Sequence, residues 1–173
     1  MSVQRHPLIL IAGPSGSGKS TLAKALAAHM GFPCLSLDDY YIPRAKVFVE
    51  TANGVVRTFE RPESYDGEKL AIRLSNRTTG TVAEGFCLFQ YRQVRELGGV
   101  CFYIDAPFSV CSARRAARRP QRPSDRSFAL VGEAETMAFV APQKDMPGVL
   151  RLDGTASTAD LMPLVLDRVG RSC

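Results

Sequence analysis

The chain has 173 residues, 45% hydrophobic and 23% charged, the balance of a soluble globular domain with one buried core. No apolar run approaches the ~20 residues of a bilayer span, and the polar Met1 to His6 lead straight into an apolar run, which argues against a signal peptide. The net charge of +5 is local, because Arg114, Arg115, Arg118, Arg119, Arg122 and Arg126 crowd one stretch with no interleaved aromatics. That pattern suits a phosphate-facing element better than a nucleic-acid surface, so no nucleic-acid or membrane partner is expected.

Pro7 to Ala12 (PLILIA) reads as a short buried strand. It runs into Gly13-Pro14-Ser15-Gly16-Ser17-Gly18-Lys19-Ser20-Thr21, which fills the phosphate-binding pattern G-x-x-x-x-G-K-[ST] without a mismatch. Leu22, Ala25, Leu26, His29 and Met30 then recur at helical spacing. In such a strand–loop–helix the glycines let backbone N–H groups turn inward around a phosphate, and the helix N-terminus adds positive dipole. The pattern therefore assigns Gly13, Ser15, Gly16, Ser17, Gly18, Lys19, Ser20 and Thr21 to a bound nucleoside triphosphate. Lys19 is expected at its β- and γ-phosphates, and the Ser20 hydroxyl on Mg²⁺.

Beyond Gly31, a helix stop, Cys34 to Leu37 (CLSL) is a second short strand. Lys46 to Phe59 carries β-branched runs on both sides of Asn53-Gly54, which predicts a β-hairpin over 46–59 projecting from the sheet's carboxyl edge. Further strands are expected at Thr81 to Ala83, closing on Glu84-Gly85, at Val100 to Ile104, and at Val149 to Leu152. Helical patterns fall at about 66–76, 88–97, 107–119, 125–140 and 160–169. Pro163 puts the start of the last helix at Thr158 or Asp160, with the proline in its first turn.

This alternation predicts an α/β fold, a five-stranded parallel sheet between helices in the three-layer αβα sandwich of P-loop NTPases, as one domain over 1–173. Ligands bind such sheets at the carboxyl ends of the strands. The phosphate loop, Asp38-Asp39, Glu84 and Asp105 all fall there. The five cysteines (Cys34, Cys87, Cys101, Cys111, Cys173) are odd in number and show no C-x-x-C spacing. Three of them sit in or beside apolar runs, which favours a reducing cytoplasm over disulfides or zinc.

Phosphoryl transfer needs neutralised phosphate charge, a held Mg²⁺ and an acceptor hydroxyl relieved of its proton. Asp38 and Asp39, just past the second strand, are placed to orient the acceptor, and a carboxylate within hydrogen-bond reach can act as general base. Turn formation is the plainer role for such a pair. Glu84 closes an apolar strand, where a carboxylate is costly without a partner, and so suits metal anchoring. On a helix, Arg114 faces Arg118 and Arg115 faces Arg119 at i and i+4. Like charges so spaced suggest a short arginine lid over about 114–126 that closes on phosphates, with a solvated basic face as the alternative.

With these motifs in order, the chain resembles the uridine kinase/phosphoribulokinase family of P-loop small-molecule kinases. The likeness rests on GPSGSGKST, LSLDDYY (Leu35 to Tyr41), FERPESYD (Phe59 to Asp66), AEGF (Ala83 to Phe86) and ARRAARR (Ala113 to Arg119). It implies a kinase that uses ATP and Mg²⁺ to phosphorylate a small-molecule hydroxyl, with a nucleoside-type acceptor. Asp38 becomes the general base and a Mg²⁺-linked carboxylate, and Glu84 joins Ser20 and Asp38 around the metal. Tyr41 lines the acceptor pocket, and Arg115 and Arg119 act catalytically from the lid. Glu60 stands where the family's aspartate grips ribose hydroxyls, followed by Arg61 on the same acceptor side. Glu60-Arg61 replaces the family's Asp-His, and only 18 positions separate Asp66 from Glu84, where uridine kinases carry a longer insertion.

Three other classes compete, a nucleic-acid protein using the Arg114 to Arg126 stretch among them. A GTPase would carry an Asn-Lys-x-Asp run, which is absent. A non-catalytic nucleotide-binding protein would not need Asp38 and Glu84 together. Kinases of other acceptors, such as a sugar nucleotide, pantothenate or a sugar phosphate, share the P-loop and remain the alternative within enzymes.

Overall fold

Five consecutive apolar residues are all buried only when a strand is covered on both faces, as Leu8–Ala12 (β1) is. The computed structural model describes residues 6–118 and 122–171. After β1 come the helix Lys19–Met30 (α1), the strand Cys34–Ser36 (β2), and a hairpin of Val47–Thr51 (β3) and Gly54–Thr58 (β4). The helix Gly67–Ser75 (α2), the strand Thr81–Gly85 (β5), the short helix Arg92–Arg95 (α3) and the strand Val100–Asp105 (β6) follow. The helices Phe108–Ala116 (α4) and Pro123–Glu135 (α5), the strand Val149–Asp153 (β7) and the helix Thr158–Gly170 (α6) complete the chain.

The sheet has the order β2-β5-β1-β6-β7, and all four pairings are parallel. Side chains alternate across β1. Leu8, Leu10 and Ala12 meet Leu70 and Leu74 of α2 and Val94 of α3 on one face. Ile9 and Ile11 meet Leu22 and Leu26 of α1 and Leu161 and Val165 of α6 on the other. Each large side chain so buried contributes roughly 1.5–3 kcal/mol. The result is the expected three-layer α/β sandwich with a five-stranded parallel sheet. No helix among the described residues is long and apolar enough to cross a membrane.

Several boundaries depart from the pattern for local reasons. Glu84 and Asp105 lie inside β5 and β6 rather than after them, because Glu84 pairs in register with Ser36 and Asp105 with Asp153. The 88–97 pattern breaks into a 3-10 turn, Leu88–Gln90, and the four residues of α3. Tyr91 between them is extended; its ring lies where a side chain on residue 67 would stand, and its hydroxyl donates to the Pro62 carbonyl at 2.7 Å. The 125–140 pattern starts earlier, at Pro123, and passes from α5 into a π turn, Thr136–Val140.

The hairpin forms where expected, with Thr51 opposite Gly54. Ala52 and Asn53 are the central turn residues and neither takes positive φ; the left-handed conformation falls on Gly54, at φ 111°. The hairpin leans on α5, where the Ser127 hydroxyl donates to the Arg57 carbonyl.

Helix α6 begins at Thr158 under a Ser157–Asp160 capping box, which puts Pro163 in its second turn instead of its first. At that position the proline withholds the N–H that would bond the Ala159 carbonyl. Pro163 is exposed, so Pro163→Ala is expected to restore the bond without a packing change. The gain should be about 1–3 kcal/mol in urea unfolding; an unchanged midpoint would mean that the helix already absorbs the break.

Candidate active site

The phosphate loop is wedged between the sheet and α4. A Cβ on Gly13 would stand 2.7 Å from the Ile104 carbonyl oxygen, and one on Gly16 would stand 2.5 Å from that of Cys111. Only glycine permits these approaches, and Gly16 also holds φ at 92°. The Ser17 N–H donates to the Pro14 carbonyl at 3.0 Å and tightens the loop, while Gly18 forms the N-cap of α1. Lys19 opens α1 and is buried at 8% exposure beside a cleft of about 940 Å³. Ser15, Gly16, Gly18, Lys19, Ser20 and Thr21 all line that cleft; Gly13 and the buried Ser17 support the loop from behind.

Asp38 and Asp39 are exposed to the same cleft from a 3-10 turn, Leu37–Tyr40. Ser36 fixes that turn, since its hydroxyl accepts from the Asp38 N–H at 3.3 Å and donates to Glu84 Oε1 at 2.6 Å. One side chain thus ties the aspartate pair to Glu84, which is 5% exposed and also lines the cleft. Ser36 escaped the sequence reading because a serine in a three-residue strand gives no signal until β2 pairs with β5.

Hydroxyl and carboxylate oxygens suit Mg²⁺, which takes one or two carboxylates along with phosphates and waters in place of an all-protein cage. Among the described residues no group of three or more His, Cys, Asp or Glu forms such a cage. Ser20, Asp38 and Glu84 share the cleft, so the residues present fit the ion.

The described arginines of this stretch take different partners. Arg114 turns to the loop, donating to the carbonyls of Ser17 at 3.1 Å and Gly154 at 2.8 Å. Arg115 is buried at 5% exposure, lies over the Phe128 ring at 4.2 Å, and pairs with Glu60 at 3.2 Å and Asp125 at 3.0 Å. Arg118 lies 3.6 Å from the same Asp125 carboxylate. The charge repulsion expected within this stretch is relieved at Arg115 by carboxylates of the chain itself. Asp125 also accepts from the Arg122 N–H at 2.7 Å at the start of α5; its place three residues after Arg122 was the available signal. Arg119 lies outside the described residues.

Two acceptor-side expectations change. Glu60 is 4% exposed, and both its oxygens are engaged, Oε2 by the Ser15 hydroxyl at 2.8 Å and Oε1 by Arg115. It does not present a free carboxylate to a diol. Burial pushes its carboxyl above the ordinary 4.5, against the pull of Arg115 and Ser15. Arg61 turns away from the cleft to a two-point pair with Glu135, at 2.7 and 3.1 Å, over the Phe139 ring. Glu135 is 4% exposed and would be left uncompensated without it. Tyr41 does line the cleft, joined by Phe59 and Tyr65 in one wall with ring centroids 5.9 and 5.6 Å from its own. Arg57 holds the Tyr41 hydroxyl by a hydrogen bond.

A glycine-wedged phosphate loop, a buried lysine and a carboxylate-lined cleft at the carboxyl edge of a parallel sheet define a P-loop kinase of the small-molecule class. A family model described as an AAA domain matches residues 8–141, and the chain belongs to that family. It is similar to nicotinamide riboside kinase 1 of Mus musculus, 25% identical over 185 aligned positions covering 94% of this chain and 93% of that one. A uridine kinase of Clostridium perfringens is 24% identical over 146 positions, 67% of this chain and 69% of its own. Among solved structures, a gluconokinase from Sinorhizobium meliloti 1021 superposes with a TM-score of 0.62 at 18% identity, covering 96% of this chain and 93% of that one, a likeness of fold.

Gly16→Ala tests the wedge. The added methyl meets the Cys111 carbonyl in a left-handed backbone, so the variant should lose about 2 kcal/mol or more of stability. Nucleotide affinity, read by equilibrium binding of a fluorescent ATP analogue, should fall with it. Affinity like the wild type would show that the loop tolerates displacement from α4.

Proposed function

We propose that this chain is an ATP-dependent kinase that transfers the γ-phosphate to a hydroxyl of a small metabolite, with a nucleoside-type acceptor. The observation that carries the reading is one cleft shared by Lys19 of the phosphate loop and the exposed pair Asp38 and Asp39. The near full-length similarity to nicotinamide riboside kinase 1 supports the nucleoside class. So does the wall of Tyr41, Phe59 and Tyr65, since aromatic rings offer a planar base a stacking surface.

In this mechanism the inward N–H groups of the loop bind the donor phosphates, and Lys19 stabilises charge on the β–γ bridge and the γ-phosphoryl oxygens. Mg²⁺, held by Ser20 and the carboxylates of Asp38 and Glu84, would neutralise further phosphate charge. Asp38 accepts the proton of the acceptor hydroxyl. That oxygen bonds to the γ-phosphorus as the bond to the β–γ bridging oxygen breaks, and ADP leaves. Ser36 keeps Asp38 and Glu84 in register for these tasks. Arg114 and Arg118 line the cleft beside Arg115, whose charge Glu60 and Asp125 balance, with Arg119 next to Arg118 in sequence. The free thiols Cys34, Cys87, Cys101 and Cys111 are consistent with a cytoplasmic setting.

A panel of acceptors incubated with ATP and Mg²⁺, read by mass spectrometry for the gain of one phosphate, tests the class directly. Nicotinamide riboside, uridine and cytidine should include the best substrate. If only gluconate, shikimate, pantothenate or a sugar nucleotide reacts, the non-nucleoside alternative replaces this reading; if nothing reacts, catalysis itself is in question.

Two variants test the roles. Lys19→Ala should abolish detectable transfer while the fold survives, because the amine faces the cleft. Turnover near that of the wild type would end the kinase reading. Asp38→Asn should keep ATP binding and lower turnover by ~10²-fold or more, whereas Asp39→Asn should do much less. The reverse ranking would give the base role to Asp39.

A further inference from the structure

We propose that Glu60 is a positioning residue whose buried carboxylate clamps the phosphate loop to the arginine helix α4, and that it does not hold the acceptor's diol. The clamp has three anchors. Ser15 of the loop donates to Oε2 at 2.8 Å. Arg115 of α4 reaches Oε1 at 3.2 Å, and its other end pairs with Asp125 of α5 at 3.0 Å. On its own side, the Glu60 N–H donates to the Thr58 hydroxyl at 3.2 Å, at the end of the hairpin that leans on α5. Loop, helix and hairpin therefore meet at one residue.

There is no slack in the joint. A Cβ on Gly16, the neighbour of Ser15, would meet the Cys111 carbonyl at 2.5 Å and Arg115 Cγ at 3.2 Å. Glu60 and Arg115 are both about 5% exposed, and stripping a buried charge of its partner is strongly destabilising. Moving the loop, α4 or residue 60 alone breaks one of these contacts, so the clamp couples the three. Reach explains the residue type. An aspartate is shorter by one carbon–carbon bond, about 1.5 Å, too short to hold a loop serine and a helix arginine at once from the same backbone. Glu60 accordingly controls the donor-phosphate site from the acceptor side of the cleft. With both oxygens committed, a 2′,3′-diol on the acceptor gains little from it.

The inference rests on the proposed kinase reading for its turnover measurements, but its binding measurements need no acceptor. Ser15→Ala, Glu60→Gln, Glu60→Asp and the double variant Ser15→Ala/Glu60→Gln are compared with the wild type, with thermal unfolding run on each. Equilibrium affinity is measured for a fluorescent ATP analogue with Mg²⁺, and KM for ATP and for the best acceptor of the panel. Ser15→Ala and Glu60→Gln should each weaken nucleotide binding by about tenfold, and the double variant by little more, as for two residues sharing one contact. Glu60→Asp should not restore binding. KM for ATP should move more than KM for the acceptor, and wild-type kcat/KM for 2′-deoxy and ribosyl forms should agree within about threefold.

Additive losses, recovery in Glu60→Asp, or a rise confined to the acceptor KM would overturn the clamp. So would a strong wild-type preference for ribosyl acceptors that vanishes in Glu60→Gln. Should Glu60→Gln fail to fold, Ser15→Ala, which removes only a hydroxyl, decides the matter through its nucleotide affinity. Should no acceptor react, the kinase reading fails while the binding comparison still judges the clamp.

Discussion

Everything in the cleft depends on a strand that is apolar on both faces. β1 is sealed by α2 and α3 on one side and by α1 and α6 on the other, and its carboxyl end opens on the cleft. There the chain must turn into α1 in very little space, against the Ile104 carbonyl and under α4. Glycines make the turn possible, and the turn exposes backbone N–H groups at the positive end of a helix. Parallel pairing then carries β2 and β5 to the same edge, with Ser36 opposite Glu84. Acid residues separated by dozens of positions arrive beside one phosphate loop because the strands bearing them share a direction and a register.

The charges there are held in different ways. Asp38 and Asp39 stay exposed on a turn steadied by the cap that Ser36 provides. Glu60, Arg115 and Asp125 are buried, with Arg115 ion-paired to both carboxylates. Exposed groups can exchange partners with a substrate at small cost. Buried ones cannot, since each requires the other in a medium of low dielectric. The cleft thus divides into an exposed acidic wall on the β2 side and a buried, paired wall on the α4 side, with the phosphate loop between them.

The hairpin links the two walls. Its β4 strand leans on α5, its Arg57 holds the Tyr41 hydroxyl, and the chain leaving it carries Phe59 into the aromatic wall and Glu60 into the buried pair. The aromatic wall and the buried pair are therefore built on one short stretch of chain. A substitution in the hairpin would reach both.

Much of this was legible in the residues themselves. The loop motif, the buried strand before it and the helical spacing after it are local patterns, and local patterns dictate local structure. The strand and helix sequence implied the parallel sandwich, and Asn53-Gly54 implied the hairpin, because turn chemistry acts over four residues. Asp38, Glu84 and Tyr41 line the cleft because each follows or closes a strand, where the fold class alone brings residues to that edge. Only the tertiary structure decided partners. That Glu60 meets Ser15 and Arg115, that Arg61 leaves for Glu135, and that Ser36 braces Glu84 depend on contacts across 45, 55, 74 and 48 positions. A charged residue in a sequence states that it needs a counter-charge or water. Which of the two it finds is set by burial, and burial belongs to the packed chain.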